Sequence, residues 1–394
     1  MKPTKNSHRC TPNRTFATDI FAWPRRGWTE LQSAWNLRRL SAWRIEGREI
    51  HSNLPIRIDC VGNLHQSRFL IEAALGKDYH RESRRQLTVQ QLGRFTRAKD
   101  NACDLLIVSI PAWLGRLSSL RYDYAIPAWL GGEISLQILQ NKIVKESLRS
   151  DIRRVRRHQL ETIIADDQAT FDQFYFEMYL PMTQQAHGNS AIIRNYDQAK
   201  SLFHANELLL IRKDGTNIAG TIIDYSKPHP SVSMTGVREP IHLHQKWGAF
   251  AAIYYYSATH LLCKGFKRMG VGWTRPLLYD GVMNYKRKWN IEITDSCGPW
   301  SHLKCSTHRP VVNSFLTQNP FIHGRRGQLE GIAFTSSNKE VLEHQLKSKY
   351  HLAGLKRFAL HRIPPQQTTT EDSIEESNRS NETNVSPEIN EQSE

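Results

Sequence analysis

The sequence predicts an α/β fold, and three observations carry that prediction. Apolar runs of strand length recur along the chain, at Ile56 to Val61, Asp104 to Ile110, Glu207 to Arg212 and Asn217 to Tyr225. Segments with helical spacing, such as Ser147 to His158, Phe171 to Gln185 and Lys246 to Cys263, alternate with them. The turn Lys213-Asp214-Gly215-Thr216 joins two of the runs at hairpin spacing, so at least part of the sheet is antiparallel.

The elements follow in order. Trp23 to Trp43 is rich in Trp, Leu and Arg at roughly helical spacing, Ile56 to Val61 alternates like a strand, and Ser67 to Leu75 reads as a helix. Asp104 to Ile110, stopped by Pro111, reads as a buried strand, and Ala125 to Leu136 carries a Pro-Ala-Trp-Leu-Gly-Gly turn before a further apolar run. Ser147 is the expected N-cap of a basic helix whose apolar face is Leu148, Ile152 and Val155. Leu160 to Ala165 is a strand, and Asp166 and Asp167 open the aromatic helix Phe171 to Gln185, which ends at His187 and Gly188. Ser231 to Val237 adds a third strand beside the hairpin. The helix Lys246 to Cys263, stopped by Lys264 and Gly265, then crosses to a strand at Met269 to Trp273. Beyond Trp289 come a strand Ile291 to Thr294, an irregular Pro- and His-rich stretch, a strand Gly331 to Phe334, a helix Lys339 to Lys349 and the run Leu355 to Leu360. No internal repeat is legible.

A chain of 394 residues has room for two to three domains or one two-lobed unit. Lys and Arg (53) exceed Asp and Glu (38), a net charge of +15 that is unevenly spread. From Pro364 to Glu394 eight acidic residues face one arginine, so this tail carries −7 and the body +22. A body so basic favours polyanionic partners. The tail is too polar to fold and is expected to be disordered, as is a basic arm over residues 1–20. The polar N-terminus has no apolar core of a signal, and Gly248 to Cys263, the longest apolar stretch, falls short of a membrane span, so a cytoplasmic location is expected. Six scattered cysteines then read as free thiols.

Three segments carry a resemblance: Ser147 to Arg157 (SLRSDIRRVRR), Glu207 to Ile223 (ELLLIRKDGTNIAGTII) and Gly270 to Trp289 (GVGWTRPLLYDGVMNYKRKW). Together they resemble the Fem-like acyltransferases of the GNAT superfamily, well over residues 141 to 295 and only in element order over 20 to 140. The resemblance implies a GNAT-type mixed, largely antiparallel sheet flanked by helices, as two related lobes: an N-terminal α/β lobe over 21–140 and an acyltransferase domain over 141–363. It also implies transfer of an acyl or aminoacyl group from acyl-CoA or aminoacyl-tRNA to an amine of a cell-envelope precursor or amino sugar.

Such a transfer needs a bound anionic donor, stabilisation of a tetrahedral oxyanion and removal of an amine proton. In Tyr285-Lys286-Arg287-Lys288-Trp289, the i, i+4 aromatics can anchor one helical face. By matching position in the resembling family, Lys286 lies at the reaction centre, where it would stabilise charge, with Tyr285 beside it. The same run also reads as a solvated basic face. Arg275 follows a strand and is a candidate for phosphate or carboxylate, and Asp280 for orienting the amine or accepting its proton. Asp280 equally suits the N-cap of a helix starting at Gly281. Arg149 and Arg153, i, i+4 on the basic helix, could reach phosphates or simply lie exposed.

A pyrophosphate cradle belongs at a helix N-terminus. Acyl-CoA users of the resembling superfamily carry Gln/Arg-x-x-Gly-x-Gly/Ala there, and this chain offers Gln245, Trp247, Gly248 and Ala249, with Phe250 in place of the last small residue. That departure favours a bulkier donor such as charged tRNA. His244 is a further candidate base. Cys297, His302, Cys305 and His308, with His323 nearby, offer soft ligands at a spacing unlike a zinc finger's, so no metal is expected. No P-loop, Rossmann fingerprint or Ser-His-Asp arrangement is readable, which argues against kinase, dehydrogenase and hydrolase chemistry. The alternative from another class is a nucleic-acid-binding protein that grips phosphates and stacks bases on Trp28, Trp35 and Trp43. A catalytically silent scaffold of the same fold is a third.

Overall fold

Buried Ile56 and Ile58 alternate with exposed Pro55 and Arg57, and this period of two makes Pro55–Gly62 a strand, β2. It pairs antiparallel with β1 (Leu40–Arg48) in the computed structural model, which describes residues 40–77, 79–97, 103–110, 121–140, 145–187, 193–306, 309–325, 327–336 and 340–363. Leu40 to Trp43 is therefore strand where helical spacing predicted a helix, because pairing with β2 and β3 (His80–Leu87) decides its conformation. The rest of that predicted helix, the basic arm, the acidic tail, Trp28, Trp35 and His308 lie outside the described residues.

Helix α1 (Leu64–Leu75) starts three residues earlier than predicted, with the Asn63 side chain accepting from Gln66 N. After α2 (Val89–Arg97) and β4 (Leu105–Ile110), Tyr124–Ser135 forms one unbroken strand, β5, where a turn was expected. Its turn-like residues each have a reason to be there. Pro127 faces Trp300 next to a register shift in the partner strand, where a missing N–H costs little. A Cβ on Gly132 would come within 2.5 Å of Ile291, and one on Gly131 within 3.0 Å of the Trp273 ring.

The second half opens with the basic helix α3 (Glu146–Arg157), whose N-cap is Lys145 in place of the predicted Ser147. β6 (Glu161–Ala165) leads into α4 (Gln168–Phe174), capped by Asp167 as expected. A π turn, Tyr175–Tyr179, joins α4 to α5 (Leu180–His187), in which Pro181 has no N–H for an α-helical bond. α6 (Tyr196–His204) precedes the hairpin of β7 (Glu207–Lys213) and β8 (Thr216–Asp224), whose turn residues Asp214 and Gly215 both have positive φ, and β9 (Ser231–Val237). The crossover is two helices, α7 (Ile241–Trp247) and α8 (Ala249–Cys263), separated at Gly248 with φ +98°. Then follow β10 (Arg268–Thr274), α9 (Gly281–Lys288) and β11 (Glu292–Cys305), which runs through the stretch predicted to be irregular. Beyond α10 (Pro310–Gln318), a small sheet of β12 (Phe321–Arg325), β13 (Gln328–Thr335) and β14 (Phe358–Arg362) carries α11 (Glu340–Tyr350) before its last strand.

Among the described residues the large sheet has eleven strands in the order β3-β1-β2-β4-β11-β5-β10-β9-β8-β7-β6. Only β2 with β4 and β9 with β10 are parallel, so the fold is the mixed, largely antiparallel sheet flanked by helices that was expected. The order also has an internal symmetry that the sequence hid. Each half has antiparallel strands, a helical crossover and a parallel strand, β4 or β10. The next strand of each half, β5 or β11, is inserted beside the parallel strand of the other half. The largest core lies under the second half, where Leu130, Ile134, Met269 and Ile293 meet α8 and Trp289.

Candidate active site

The two parallel pairs differ in one respect that singles out the second half. β2 and β4 are zipped by register pairs from Ile58/Leu105 to Gly62/Ser109, and Asn63 N–H extends the ladder to Ser109 O at 3.2 Å. β9 and β10 share one register pair, Gly270 with Ser231, and then part. The ends of parallel strands are where α/β sheets open to ligands, and here only the second opening is left unzipped among the described residues.

Just past that pair, β10 carries one residue more than β5 between Gly270 and Trp273, a bulge with Gly272 at φ +68°. Its carbonyls are claimed by Lys286. The ammonium donates to Gly272 O at 3.1 Å and to Trp273 O at 2.9 Å, and the side chain is 2% exposed. Burial lowers its pKa to about 7, against a smaller upward pull from the Asp280 carboxylate. The basic run is therefore not one solvated face. Lys286 points into the protein, Lys288 reaches Asp151 at 3.0 Å, and Arg287 donates to Leu278 O at 3.0 Å.

Sequence spacing explains how α9 presents this lysine. Asp280 caps the helix, accepting from Val282 N at 2.9 Å and Met283 N at 3.0 Å. Tyr285 and Trp289 hold the buried side, Tyr285 edge-on to Tyr254 of α8 at 5.2 Å and Trp289 fully buried against the same ring. Burial pushes the Tyr285 hydroxyl well above its ordinary pKa, so it stays protonated through the physiological range.

Arg275, one residue beyond β10, lies over the Trp129 ring at 3.6 Å and over Phe69 at 5.0 Å, donating to Ala128 O at 3.0 Å. No carboxylate of the described residues lies within ion-pair distance of it, and burial lowers its pKa to about 10. Glu72 and Asp280 pull it partly back, so Asp280 acts on both Arg275 and Lys286. Arg275 just beyond β10, Lys286 on the β10 carbonyls and Asp280 at the cap of α9 thus all lie around the end of this strand, where the buried Thr274 hydroxyl has no partner.

The remaining candidates sit at the junction of α7 and α8. Gln245 is exposed, and its carbonyl accepts from Gly248 N at 2.9 Å. Trp247 packs on His244 at 5.1 Å and under the Lys213 ammonium at 5.1 Å, while Ala249 is buried at the first position of α8, which has no side-chain cap. His244 is buried, and Nδ1 lies 2.7 Å from Arg238 O. Arg149 and Arg153 are exposed and face Glu146. The arginine that reaches the junction is Arg154, whose stem lies 3.4 Å from where a Cβ on Gly248 would stand. α3 therefore ties the two groups together, touching Gly248 through Arg154 and α9 through Asp151 and Lys288.

His302 and Cys305, three apart on β11, lie on opposite faces, and no cluster of three or more metal-ligating side chains occurs among the described residues. A separate cavity of about 430 Å³ lies by Glu207, whose carboxylate is already taken by Tyr225 and His260, each at 2.7 Å, and by Lys264. Trp129, Trp273 and Arg154 were missed by sequence reasoning. The strand Met269 to Trp273 and Arg275 were picked out from the sequence, but Gly272, which makes the bulge, was not.

No protein-family model matches the chain, and no curated protein sequence matches it. Solved structures similar to it include L-PGS from Bacillus licheniformis, at 10% identity and TM-score 0.34 over 69% of this chain and 87% of that chain. FemX is similar at 9% identity and TM-score 0.35 over 66% and 83%. A GCN5-related N-acetyltransferase-like protein from Streptococcus suis is similar at 11% and 0.27 over 72% and 99%. Likenesses this distant carry nothing about activity or ligand. No helix among the described residues is long and apolar enough to cross a membrane.

Proposed function

We propose that the chain is an N-acyltransferase that moves an acyl or aminoacyl group from acyl-CoA or aminoacyl-tRNA directly to an amine of a cell-envelope precursor or amino sugar. The observation that supports this most is the buried Lys286 ammonium at the unzipped end of β10, beside a carboxylate and an arginine without an ion-pair partner.

In this reading the acceptor nitrogen attacks the donor carbonyl carbon, and the carbonyl electrons move to oxygen. Lys286 stabilises that oxyanion and Arg275 the anionic part of a substrate, in a site dry enough to make both charges effective. The tetrahedral centre then collapses and expels the thiolate of CoA or the ribose oxygen of tRNA. Asp280 orients the amine and takes its proton on the way to solvent. Tyr285 positions Lys286 from the helix interior. At the other end, the α8 N-terminus with Gln245, Trp247, Gly248 and Ala249 receives the donor's phosphates. Phe250, the second residue of α8, favours the bulkier donor.

The test is transfer by the purified chain from acetyl-CoA and from charged tRNA to a panel of amines, with Lys286→Met and Arg275→Met beside the wild type. Loss of transfer by about a hundredfold or more in Lys286→Met, in a folded protein, is expected of an oxyanion partner. Wild-type rates in Lys286→Met would overturn its role, and no transfer from either donor would overturn the class.

A further inference from the structure

The central strands β5, β10 and β11 bury one face, with Leu130, Ile134, Met269 and Ile293, and leave part of the other open. On the open face the register sets Trp273 and Asp295 on either side of Gly131, and Cys297 beside Trp129. Trp273 is 40% exposed, its six-membered ring laid over Gly131 where a side chain would collide. The Lys227 ammonium stands 5.1 Å above that ring, as the Arg275 guanidinium stands over Trp129. Neither cation has a carboxylate within ion-pair distance among the described residues, although Lys227 and Asp295 both act on Cys297. Two cations without an ion-pair partner among the described residues thus flank two indoles, with the exposed Asp295 carboxylate across Gly131, next to the carbonyl that holds Lys286.

We infer that this open face is a subsite for a sugar ring bearing an anionic substituent. Its C–H edge packs against the exposed rim of Trp273, its hydroxyl or amino groups meet Asp295, and its anion lies between Lys227 and Arg275. A nucleobase would need a whole indole face, and Lys227 already stands over that of Trp273 and Arg275 over that of Trp129. The inference rests on the proposed transferase only for what the ligand is used for, as the acceptor.

The test is titration calorimetry of the full chain with glucosamine 6-phosphate, glucuronate, glucose, inorganic phosphate and uridine monophosphate, repeated with Trp273→Leu and Lys227→Gln. Expected is binding of glucosamine 6-phosphate or glucuronate at least about tenfold tighter than glucose or phosphate, the preference between the two assigning the anion as phosphate or carboxylate. Trp273→Leu should weaken that binding about tenfold, and the exposed Lys227→Gln several-fold, with unchanged melting temperatures. Inorganic phosphate or uridine monophosphate binding as tightly as the sugar anions, or binding unmoved in both variants, overturns the subsite. Amine transfer without sugar-anion binding would overturn the subsite and leave the transferase standing. Binding without transfer would do the reverse.

Discussion

Lys286 shows how far a residue's surroundings can depart from its local pattern. Within Tyr285-Lys286-Arg287-Lys288-Trp289, the i, i+4 aromatics forecast correctly which side of α9 is buried, but a run of three cations gives no sign that the first is enclosed. What encloses it is the β10 bulge, a tertiary feature marked in the sequence only by Gly272. The lowered pKa has a checkable sign. Between about pH 7 and the ordinary lysine range, the unfolded chain holds a proton that folded Lys286 has lost, so this group makes stability rise with pH across that window. Denaturant titrations at pH 7 and pH 9.5 should show this increment in the wild type and its absence in Lys286→Met. Activity has the opposite dependence if the ammonium stabilises the oxyanion: transfer should fall as pH rises through about 7, and a rise there would instead make the neutral amine a base. Arg275→Met should weaken anionic substrate binding at least about tenfold, read by calorimetry, because charge-assisted contacts are the strong ones.

At the scale of elements, periodicity located most strands and helices of the second half, and it failed where tertiary contacts override local signals. Pro127 and Gly131-Gly132 read as a turn yet lie within β5, Pro127 beside a register shift in β11 and the glycines where Trp273 and Ile291 occupy the space that a Cβ would need. The crossover read as one helix is broken at Gly248, since a positive φ ends α7 and α8 begins from it. Gly236 of β9 is a sharper case. A Cβ there would stand 2.5 Å from Tyr179 N in the π turn, so the strand packs directly on helix backbone. Gly236→Ala should cost about 1–3 kcal/mol by overpacking, seen as a lowered denaturation midpoint. Gly215→Ala follows a different rule, because open space there leaves only the backbone strain of φ +79°, about 1 kcal/mol, and a correspondingly smaller fall in the midpoint.

For the whole molecule, the exchange of β5 and β11 between halves sets the cooperativity of the sheet. Residues 40–140 would leave β5 without β10 and β11, and the second half would lack the strand that separates those two. The halves expressed apart should therefore not give native-like unfolding transitions, whereas co-expressed halves should associate. Two independently folded halves would contradict this. The repeat behind that symmetry was illegible because each half keeps the order of elements without keeping residue types, and only the register of β2 with β4 against β9 with β10 reveals which opening is unzipped. The central claim is that this opening binds an acyl donor. Its most direct test is the melting temperature of the full chain with CoA, acetyl-CoA, and charged and uncharged tRNA, since a ligand specific to the native state stabilises it by mass action. A rise of a few degrees with acetyl-CoA, or with charged tRNA beyond uncharged, is the predicted result. No shift with any donor, or equal shifts with charged and uncharged tRNA and none with acetyl-CoA, would contradict it.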